Sequence, residues 1–478
     1  MRESRKLMSN KNEFDVIVVG GGPAGLFSAY WLCTHTTLRV CVVERGCRAL
    51  ERKCPVADPQ TSRGKCVNCR PSCHILSGMG GAGLFSDGKL NYIYKLGKTD
   101  LTQFMPKSEA MQLIDETEAI FNRFGMDGPA YPSDIAAAHE LRKLSKIHGI
   151  DLLLIKQKHL GSDCLPEYIN DMCLYLEEKG VTIRTGEAVR DLLTVEDKGK
   201  TRVTGVLTEK ESLSAKAVII APGRVGADWV GEMARKLGLG VSQRGIEVGV
   251  RVEVHKDIMA DLTNVIYDPT FFVQTGHYDD QTRTFCTNPE GFVSLENYQD
   301  FVCVNGHALR HVKSENTNFA FLSKVVLSDP VSDNQGYGVA IGKLATIIGG
   351  GKPILQRFGD LKRGRRSTWN RIGKGYIEPT MPDVTPGDIS IALPERIVNN
   401  LVNGLEQLNK VAPGVANEET LLYAPEIKFF STQVETDSNL QTAVEGLFVA
   451  GDGPGVSGNI VAAAATGLIP AKFLAGKR

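Results

Sequence analysis

The sequence predicts an α/β fold with a Rossmann-like domain that is discontinuous along the chain, a β-rich α+β domain and a helical insertion. Three observations predict it. The apolar run Phe14–Val19 leads into a glycine-rich turn, a helical stretch precedes a second apolar run ending in "VVE", and "GLFVAGD" near the C-terminus precedes a helical run of small residues. Strands that are apolar almost throughout are typical of a parallel sheet covered on both faces.

Length and composition restrict the function classes. The chain has 478 residues, enough for two or three domains, and its 55 basic and 55 acidic residues give a formal net charge of zero. A neutral chain is not expected to have the large positive surface that attracts nucleic acids. No apolar run has the length of a membrane helix. The N-terminal residues have no apolar core of the kind that a secretory signal needs. With eleven cysteines, an odd number, we expect reduced thiols and a cytoplasmic protein.

The strongest motif is the G-x-G-x-x-G of Gly20, Gly22 and Gly25, which stands between the first strand and a helix. The first glycine permits the tight turn, the second lets a pyrophosphate approach the backbone, and the third lets helix and strand pack closely. Free N–H groups at the helix N-terminus attract phosphate. Glu44 ends the next strand, where we expect its carboxylate to accept hydrogen bonds from a ribose diol. The neighbouring residues assigned to this dinucleotide site are Pro23, Ala24 and Arg45.

The C-terminal segment 443–476 resembles the flavin motif of the glutathione-reductase-like FAD proteins. The resemblance is carried by "GLFVAGD", a loop of small residues and a helix from about Asn459. In that family the aspartate hydrogen-bonds the ribityl chain, and the helix N-terminus offers N–H groups to the pyrimidine carbonyl, where negative charge collects on reduction. The resemblance therefore gives Asp452 the first role. The residues that it places in the same site are Gly451, Gly458, Asn459 and Ile460.

The middle segment 180–224 resembles the part of that family in which a residue after the first strand contacts adenine through its backbone. Val189 is the corresponding position. Ala221, Pro222 and Gly223 stand where the family often has Ala-Thr-Gly, so the proline is a departure, and Gly223 is assigned to the FAD site. No second strand–G-x-G-x-x-G–helix unit follows. A single nucleotide-binding domain is therefore expected, as in the p-hydroxybenzoate hydroxylase type and the amino-acid oxidases.

The glycine-rich stretch "SGMGGAGLFSDGKL" at 77–90 predicts backbone that lies against a flat cofactor, because a Cβ at Gly81 or Gly83 would clash there. With "HLGSD", "GVRVEV", "APEIKFF" and the C-terminal motif, it makes nearly the whole chain similar to a family of uncharacterised FAD-dependent dehydrogenases. The resemblance implies flavin chemistry and brings no known substrate with it.

Three residues are candidates for catalysis. Asp87 and Lys89 follow the glycine-rich stretch, and a lysine near N1 or N5 of the flavin would stabilise the reduced anion or hold a water. Arg283 in "TRTFCTN" would anchor a substrate carboxylate through a bidentate pair, as would Arg251 in "GVRVEV". The alternative for Lys89 is a surface lysine after a turn, and for Arg251 and Arg283 it is a surface arginine on a strand. Glu426 in "APEIKFF" precedes the flavin strand and would face the ring, and its alternative is a simple salt bridge.

The cysteines Cys54, Cys66, Cys69 and Cys73 supply enough thiolates for zinc or an iron–sulfur cluster. A structural metal is one of three alternatives for them. The second is a redox pair that exchanges electrons with a flavin, and the third is reduced thiols that pack a loop.

The expected domains are an FAD-binding domain at 1–98, 150–243 and 422–478, a helical insertion at 99–149 and a substrate domain at 244–421. The expected function is an FAD-dependent oxidoreductase, a dehydrogenase or reductase that transfers a hydride between flavin N5 and a small organic substrate. FAD is expected to be held noncovalently.

Besides a flavin-binding redox sensor that acts through the cysteines without turnover, two further functions stay open. One is an NAD(P)H-dependent flavin monooxygenase, for which NAD(P)H would be the transient electron donor. The other is an FAD-dependent RNA-modifying protein, which only the basic stretch 362–374 favours, since the zero net charge argues against a nucleic-acid partner.

Overall fold

The structure is a computed structural model that describes residues 12–54, 69–70, 72–86, 88–97, 99–161, 164–242, 245–298, 300–309, 312–327, 333–429 and 433–476. The chain divides into two compact units. The first unit consists of residues 1–128, 162–242 and 431–478, and the second of residues 129–161 and 243–430.

The helices of the described residues carry the labels used below. In chain order they are α1 (Pro23–His35), α2 (Lys107–Arg123), α3 (Ile135–Ile147), α4 (Leu165–Glu178), α5 (Ala227–Lys236), α6 (Lys256–Thr263), α7 (Asn334–Ile348), α8 (Phe358–Lys362), α9 (Trp369–Ile372), α10 (Glu395–Leu408) and α11 (Ile460–Leu474). No helix in these ranges is both long enough and apolar enough to cross a membrane.

The strands are numbered in the same way. In chain order they are β1 (Glu13–Val19), β2 (Val40–Val43), β3 (Lys89–Tyr92), β4 (Lys95–Leu96), β5 (Thr99–Asp100), β6 (Ala130–Tyr131), β7 (Ile150–Leu153), β8 (Lys156–His159), β9 (Thr182–Arg184), β10 (Val189–Asp197), β11 (Lys200–Thr208), β12 (Ser212–Ile220), β13 (Val241–Ser242), β14 (Ile246–His255), β15 (Thr270–Gln274), β16 (Gln281–Asn288), β17 (Phe292–Asn297), β18 (Val302–His307), β19 (Asn316–Val325), β20 (Ile354–Arg357), β21 (Thr385–Pro386), β22 (Leu421–Lys428), β23 (Gln433–Val434) and β24 (Leu447–Val449).

The first unit is built on a seven-stranded sheet in the order β10-β11-β12-β1-β2-β9, with β24 paired to β12. β9, β2, β1, β12 and β24 run parallel, which is the Rossmann-like arrangement that the sequence predicts. Val19 is in register with both Val43 and Ile220, so β1, β2 and β12 end at the same edge of the sheet. Ligands of open α/β sheets bind outside this carboxyl edge.

The second unit is built on an eight-stranded sheet in the order β21-β20-β22-β14-β19-β16-β15-β7. β14, β15, β16 and β18 belong to this unit and lie within the segment 244–421, for which the sequence predicts a β-rich domain. β14 alternates: Val248, Val250 and Val252 join the apolar core, while Glu247 and Arg251 project from the opposite face, because successive side chains of a strand point to opposite sides.

The predicted helical insertion 99–149 contains α2 and α3. α2 belongs to the first unit and α3 to the second, so segment 99–149 does not form a compact unit of its own.

Candidate functional site

The turn after β1 requires glycine for geometric reasons. Gly20 has a φ of +110°, and a Cβ there would lie 2.2 Å from the carbonyl oxygen of Ala221. A Cβ on Gly25 would lie 1.9 Å from the carbonyl oxygen of Gly20. Because neither glycine has a Cβ, α1 can lie close against the ends of β1 and β12, as the motif predicts.

The N-terminus of α1 is open to an anion. Gly22 is its N-cap, no described side chain caps it, and Pro23 occupies the first turn. The first N–H groups of a helix have no acceptor within the helix, and its dipole adds positive potential there. The local structure therefore fits a phosphate group at this position.

Glu44 is buried and organises the whole loop. Its Oε2 accepts a hydrogen bond from the N–H of Gly21 at 2.7 Å. Its Oε1 accepts from the N–H groups of Gly46 at 2.8 Å and Gly78 at 2.9 Å. Three backbone donors thus hold the carboxylate at the carboxyl end of β2. The sequence did not predict these three donors. The ribose hydroxyl that it does predict for Glu44 would be a further donor to the same carboxylate.

The glycine-rich stretch lies against the turn formed by Gly20, Gly21 and Gly22, which we call the phosphate turn because a phosphate is predicted there. The N–H of Gly80 donates to the carbonyl of Gly21 at 2.8 Å. Gly81 has a φ of +65°, and a Cβ there would be 3.2 Å from the Cα of Gly22. A Cβ on Gly83 would be 3.3 Å from the side chain of Ile460. The stretch therefore joins the two ends of the predicted FAD site.

Arg52 holds this stretch in place, and the sequence analysis missed it. Its guanidinium donates to the carbonyls of Met79 and Gly81 at 2.8 Å each, and to those of His74 and Ile75. Burial lowers its pKa to about 10, so it remains charged at neutral pH. Only tertiary folding brings these four carbonyls to one side chain, and no local pattern around Arg52 signals it.

Three predicted residues, Pro23, Gly83 and Ile460, line one apolar cavity of about 30 Å³ in the first unit. α2 and α4 contribute Phe121 and Ile169 to its wall. Pockets for small molecules measure about 300–1,000 Å³, so this cavity alone is too small to hold one.

The C-terminal motif has the predicted helix boundary. α11 begins at Ile460, and the Oδ1 of its N-cap Asn459 accepts from the N–H of Ala462 at 2.8 Å. The Nδ2 of Asn459 is buried and has no acceptor among the described residues. A buried amide donor of this kind needs an acceptor, and a flavin carbonyl would supply one.

Gly451 and Asp452 lie where β24 ends. Gly451 has a φ of +80°, and a Cβ there would be 3.1 Å from the Cβ of Ala24. Asp452 Oδ2 accepts from Nε of Arg224 at 3.1 Å, and Gly223 has a φ of +66° in the turn beside it. The predicted residues Ala24, Gly223, Gly451 and Asp452 are therefore brought together at the carboxyl edge of the sheet.

The remaining predicted cofactor positions are Arg45, Val189 and Gly458. Arg45 is exposed beside Glu44, Val189 is the first residue of β10, and Gly458 precedes the N-cap of α11. They share the first unit with the residues above.

The candidate catalytic residues fall in three different situations. Lys89 is 8 % exposed in β3 of the first unit, so it is no surface lysine. Asp87 lies outside the described residues. Arg283 is 5 % exposed in β16 of the second unit, where Glu247 binds it. Lys89 and Arg283 thus belong to different units.

Arg251 is buried, which corrects its alternative interpretation as a surface arginine. Its Nε and Nη2 donate to the carboxylate of Glu426 at 2.8 and 2.7 Å, and its guanidinium also reaches Cys286, Asn305 and Asn318. The salt bridge offered as the alternative for Glu426 is therefore what the structure contains.

The cysteines described are all free thiols, and Cys66 lies outside the described residues. Cys54, Cys69 and Cys73 are among these thiols. In the described ranges no group of three or more histidine, cysteine or acidic side chains is arranged to hold a metal ion. The Sγ of Cys47, which was not among the predicted ligands, lies 3.7 Å from Nε2 of His74.

The basic stretch 362–374 is largely ion-paired. Lys362 pairs with Glu406, and Arg363 with Glu418. The buried carboxylate of Asp360 binds Arg365 at 2.6 Å and lies 3.9 Å from Arg371. Paired cations contribute little free positive charge, so the stretch offers weak support for an RNA-binding surface.

Two family models match the chain. Residues 246–428 match "FAD-dependent protein, C-terminal domain-like", and residues 381–478 match "Glucose inhibited division protein A". An uncharacterized protein of Clostridium beijerinckii is 23 % identical over 503 residues, which cover 100 % of this chain and 84 % of that protein.

Several solved structures of low sequence identity match this chain. Glycine oxidase of Geobacillus kaustophilus is 13 % identical with a TM-score of 0.38, covering 98 % of this chain and 96 % of that one. L-amino acid deaminase of Proteus vulgaris is 14 % identical with a TM-score of 0.39, covering 98 % and 95 %. THI4 of Thermovibrio ammonificans is 17 % identical with a TM-score of 0.27, and the match spans 48 % of this chain and 64 % of THI4.

The family models and the nucleotide-binding unit lead to one conclusion about the type of protein. One matched model describes an FAD-dependent protein, and the glycine turn, Glu44 and the N-terminus of α11 lie at one edge of a parallel sheet. By these observations the chain is an FAD-dependent oxidoreductase.

Proposed function

We propose that this protein is a dehydrogenase that binds FAD noncovalently and exchanges a hydride with a small organic substrate in the cytoplasm. The observation that carries the proposal is the meeting of two predicted motifs: Gly81 packs on Gly22 at the phosphate turn, and Gly83 packs on Ile460 at the start of α11. When bound, FAD supplies the two-electron chemistry at its N5.

The residues of the first unit fit FAD part by part. The open N-terminus of α1 would take the pyrophosphate, and Glu44 would take a ribose hydroxyl. Asp452 would accept from the ribityl chain, and the buried Nδ2 of Asn459 would donate to a flavin carbonyl. The N–H groups at the N-terminus of α11 would stabilise negative charge on the pyrimidine ring.

Lys89 is the residue that we propose for stabilising the reduced flavin. It follows the glycine-rich stretch at the start of β3 and is buried. A buried ammonium close to developing negative charge interacts strongly with it, because little water screens the charge there. Its Nζ would hold a proton or a water beside the flavin.

An absorption spectrum of the purified protein, recorded anaerobically before and after addition of NADH and then NADPH, tests this function. We expect a flavin spectrum that stays oxidised, because the flavin of a dehydrogenase is reduced by its own substrate. Bleaching by either nucleotide would instead favour the NAD(P)H-dependent monooxygenase. A colourless protein that binds no added FAD would contradict the proposal altogether.

Asp452→Ala should weaken FAD binding by about tenfold to a hundredfold, since a hydrogen bond to a charged group contributes about 1.5–3 kcal/mol. The measurement is a titration of the apoprotein with FAD, followed by flavin fluorescence. Asp15→Ala is the matched control: Asp15 also holds an ion pair, with Lys216 at 2.9 Å, but on the opposite end of β1. Equal affinity in the Asp452 variant and the wild type would show that the flavin motif is misplaced.

A further inference from the structure

Arg283 is a buried cation whose guanidinium is only partly used. Its Nε donates to Oε1 of Glu247 at 2.7 Å, and its Nη2 donates to Oε2 of the same carboxylate at 2.5 Å. A guanidinium carries five N–H donors in a planar fork, so this bidentate pair occupies two of them. The pair fixes the orientation of the whole group.

The Nη1 of Arg283 is buried and has no hydrogen-bond acceptor among the described residues. Leaving a charged donor without an acceptor inside a protein costs free energy, and native structures avoid it. Nη1 and the outer side of Nη2 form the free end of the fork. Its geometry matches two oxygens of one planar carboxylate.

The free end of Arg283 lies beside an aromatic ring that a second cation also approaches. The guanidinium of Arg283 lies 4.7 Å from the ring centre of Phe285, and the Nζ of Lys428 lies 5.5 Å from the same ring. Lys428 is held by Glu426 at 2.9 Å. Two cations, each fixed by a carboxylate, thus flank one aromatic ring.

Arg251 shows that the open end of Arg283 is a specific feature of that residue. Both arginines are buried on the same sheet and both form a bidentate pair with a glutamate. The Nη1 of Arg251, however, donates to the carbonyl of Cys286 at 2.9 Å and to Oδ1 of Asn318. Its fork is saturated by protein acceptors, so it has no donor left for a ligand.

We propose that Arg283 binds the carboxylate of a small organic acid through its Nη1 and Nη2, with Phe285 against the body of that acid. This inference rests on the proposed function for the identification of the acid as the substrate. The binding step itself needs no flavin. Glu247 is then a positioning residue, because it orients the guanidinium and does not touch the acid.

Calorimetric titration of the purified protein with benzoate and with benzamide tests the proposal. The two probes have the same ring, and only benzoate carries the carboxylate. We expect the wild type to bind benzoate at least about tenfold more tightly than benzamide, since the charge-assisted pair is lost with the amide. Equal binding of the two probes, or binding of neither at millimolar concentration, would overturn the inference.

Variants of Arg283 test whether this residue causes the preference for benzoate over benzamide. Arg283→Lys keeps the charge but removes the fork, and should weaken benzoate by about tenfold or more while leaving benzamide unchanged. If this variant does not fold, Arg283→Gln combined with Glu247→Gln replaces the ion pair by a neutral pair, leaves no unpaired buried charge, and should lose benzoate equally. Unchanged benzoate affinity in a folded variant would refute the role of Arg283.

The matched control makes the same change at the saturated arginine. Arg251→Lys, which matches Arg283→Lys and leaves the contact between Glu426 and Lys428 in place, should retain the preference for benzoate. If the Arg251 variant lost the preference for benzoate while the Arg283 variant kept it, the anion site would lie elsewhere and the proposal would be refuted. Flavin absorption of the same samples separates the two ideas, since a protein that binds no FAD contradicts the proposed function, whereas a flavin-containing protein that ignores benzoate contradicts only this inference.

Discussion

Glu44→Gln is expected to release FAD and to lower the free energy of unfolding by about 3 kcal/mol. The carboxylate accepts hydrogen bonds from three backbone N–H groups, those of Gly21, Gly46 and Gly78. The glutamine side chain has one acceptor oxygen and an NH₂ group, so at least one buried N–H would face another donor. The phosphate turn and the glycine-rich stretch would then separate from the end of β2.

Urea unfolding followed by circular dichroism, together with FAD titration of the same preparations, measures both effects. Glu209→Gln is the control, because Glu209 is an exposed carboxylate in the turn between β11 and β12 and pairs with Arg190. Surface pairs contribute about 0–1 kcal/mol, so this variant should behave like the wild type. If Glu44→Gln kept both FAD affinity and stability, Glu44 would not organise the site.

Arg251→Met is expected to lower the free energy of unfolding of the second unit by about 4 kcal/mol, the cost typical of breaking a buried ion pair. The carboxylate of Glu426 would remain buried, with Lys428 at 2.9 Å as its remaining ion-pair partner among the described residues. Asn305 and Asn318 would lose the donor that both of them share. Guanidinium unfolding curves would record the loss as a lower midpoint.

A double-mutant cycle with Glu426→Leu measures the interaction energy between Arg251 and Glu426 separately from their contacts with other residues. Because replacing both members of a buried ion pair by apolar groups is often neutral, the double variant should recover a large part of the stability lost in Arg251→Met. Strictly additive losses would mean that Arg251 and Glu426 act independently, which would contradict the bidentate geometry.

Local patterns in the sequence were sufficient for the elements that make the nucleotide-binding unit. The apolar runs form β1 and β2, the G-x-G-x-x-G lies in the turn before α1, and Asn459 is the N-cap of α11. Each depends on a few adjacent residues whose backbone requirements are specific, such as a positive φ at Gly20. Short-range rules of this kind can be applied to a sequence directly.

Contacts between distant parts of the chain lie outside such rules. Arg52 binds four carbonyls in the segment 74–81. Arg283 of β16 pairs with Glu247 of β14, and β19 lies between these two strands in the sheet. The sequence offered both Arg251 and Arg283 as anchors for a substrate carboxylate, yet the guanidinium of Arg251 is saturated and Nη1 of Arg283 has no acceptor among the described residues.

The sequence by itself determined the parallel sheet, the position of the dinucleotide motif and the flavin chemistry that the resemblance implies, because these depend on residues adjacent along the chain. Only the tertiary structure decided which charged side chains are saturated by protein partners and which keep a donor for a ligand. The physical reason is that a buried charge is governed by whatever the fold places within hydrogen-bond distance, and strand pairing across the sheet sets those neighbours.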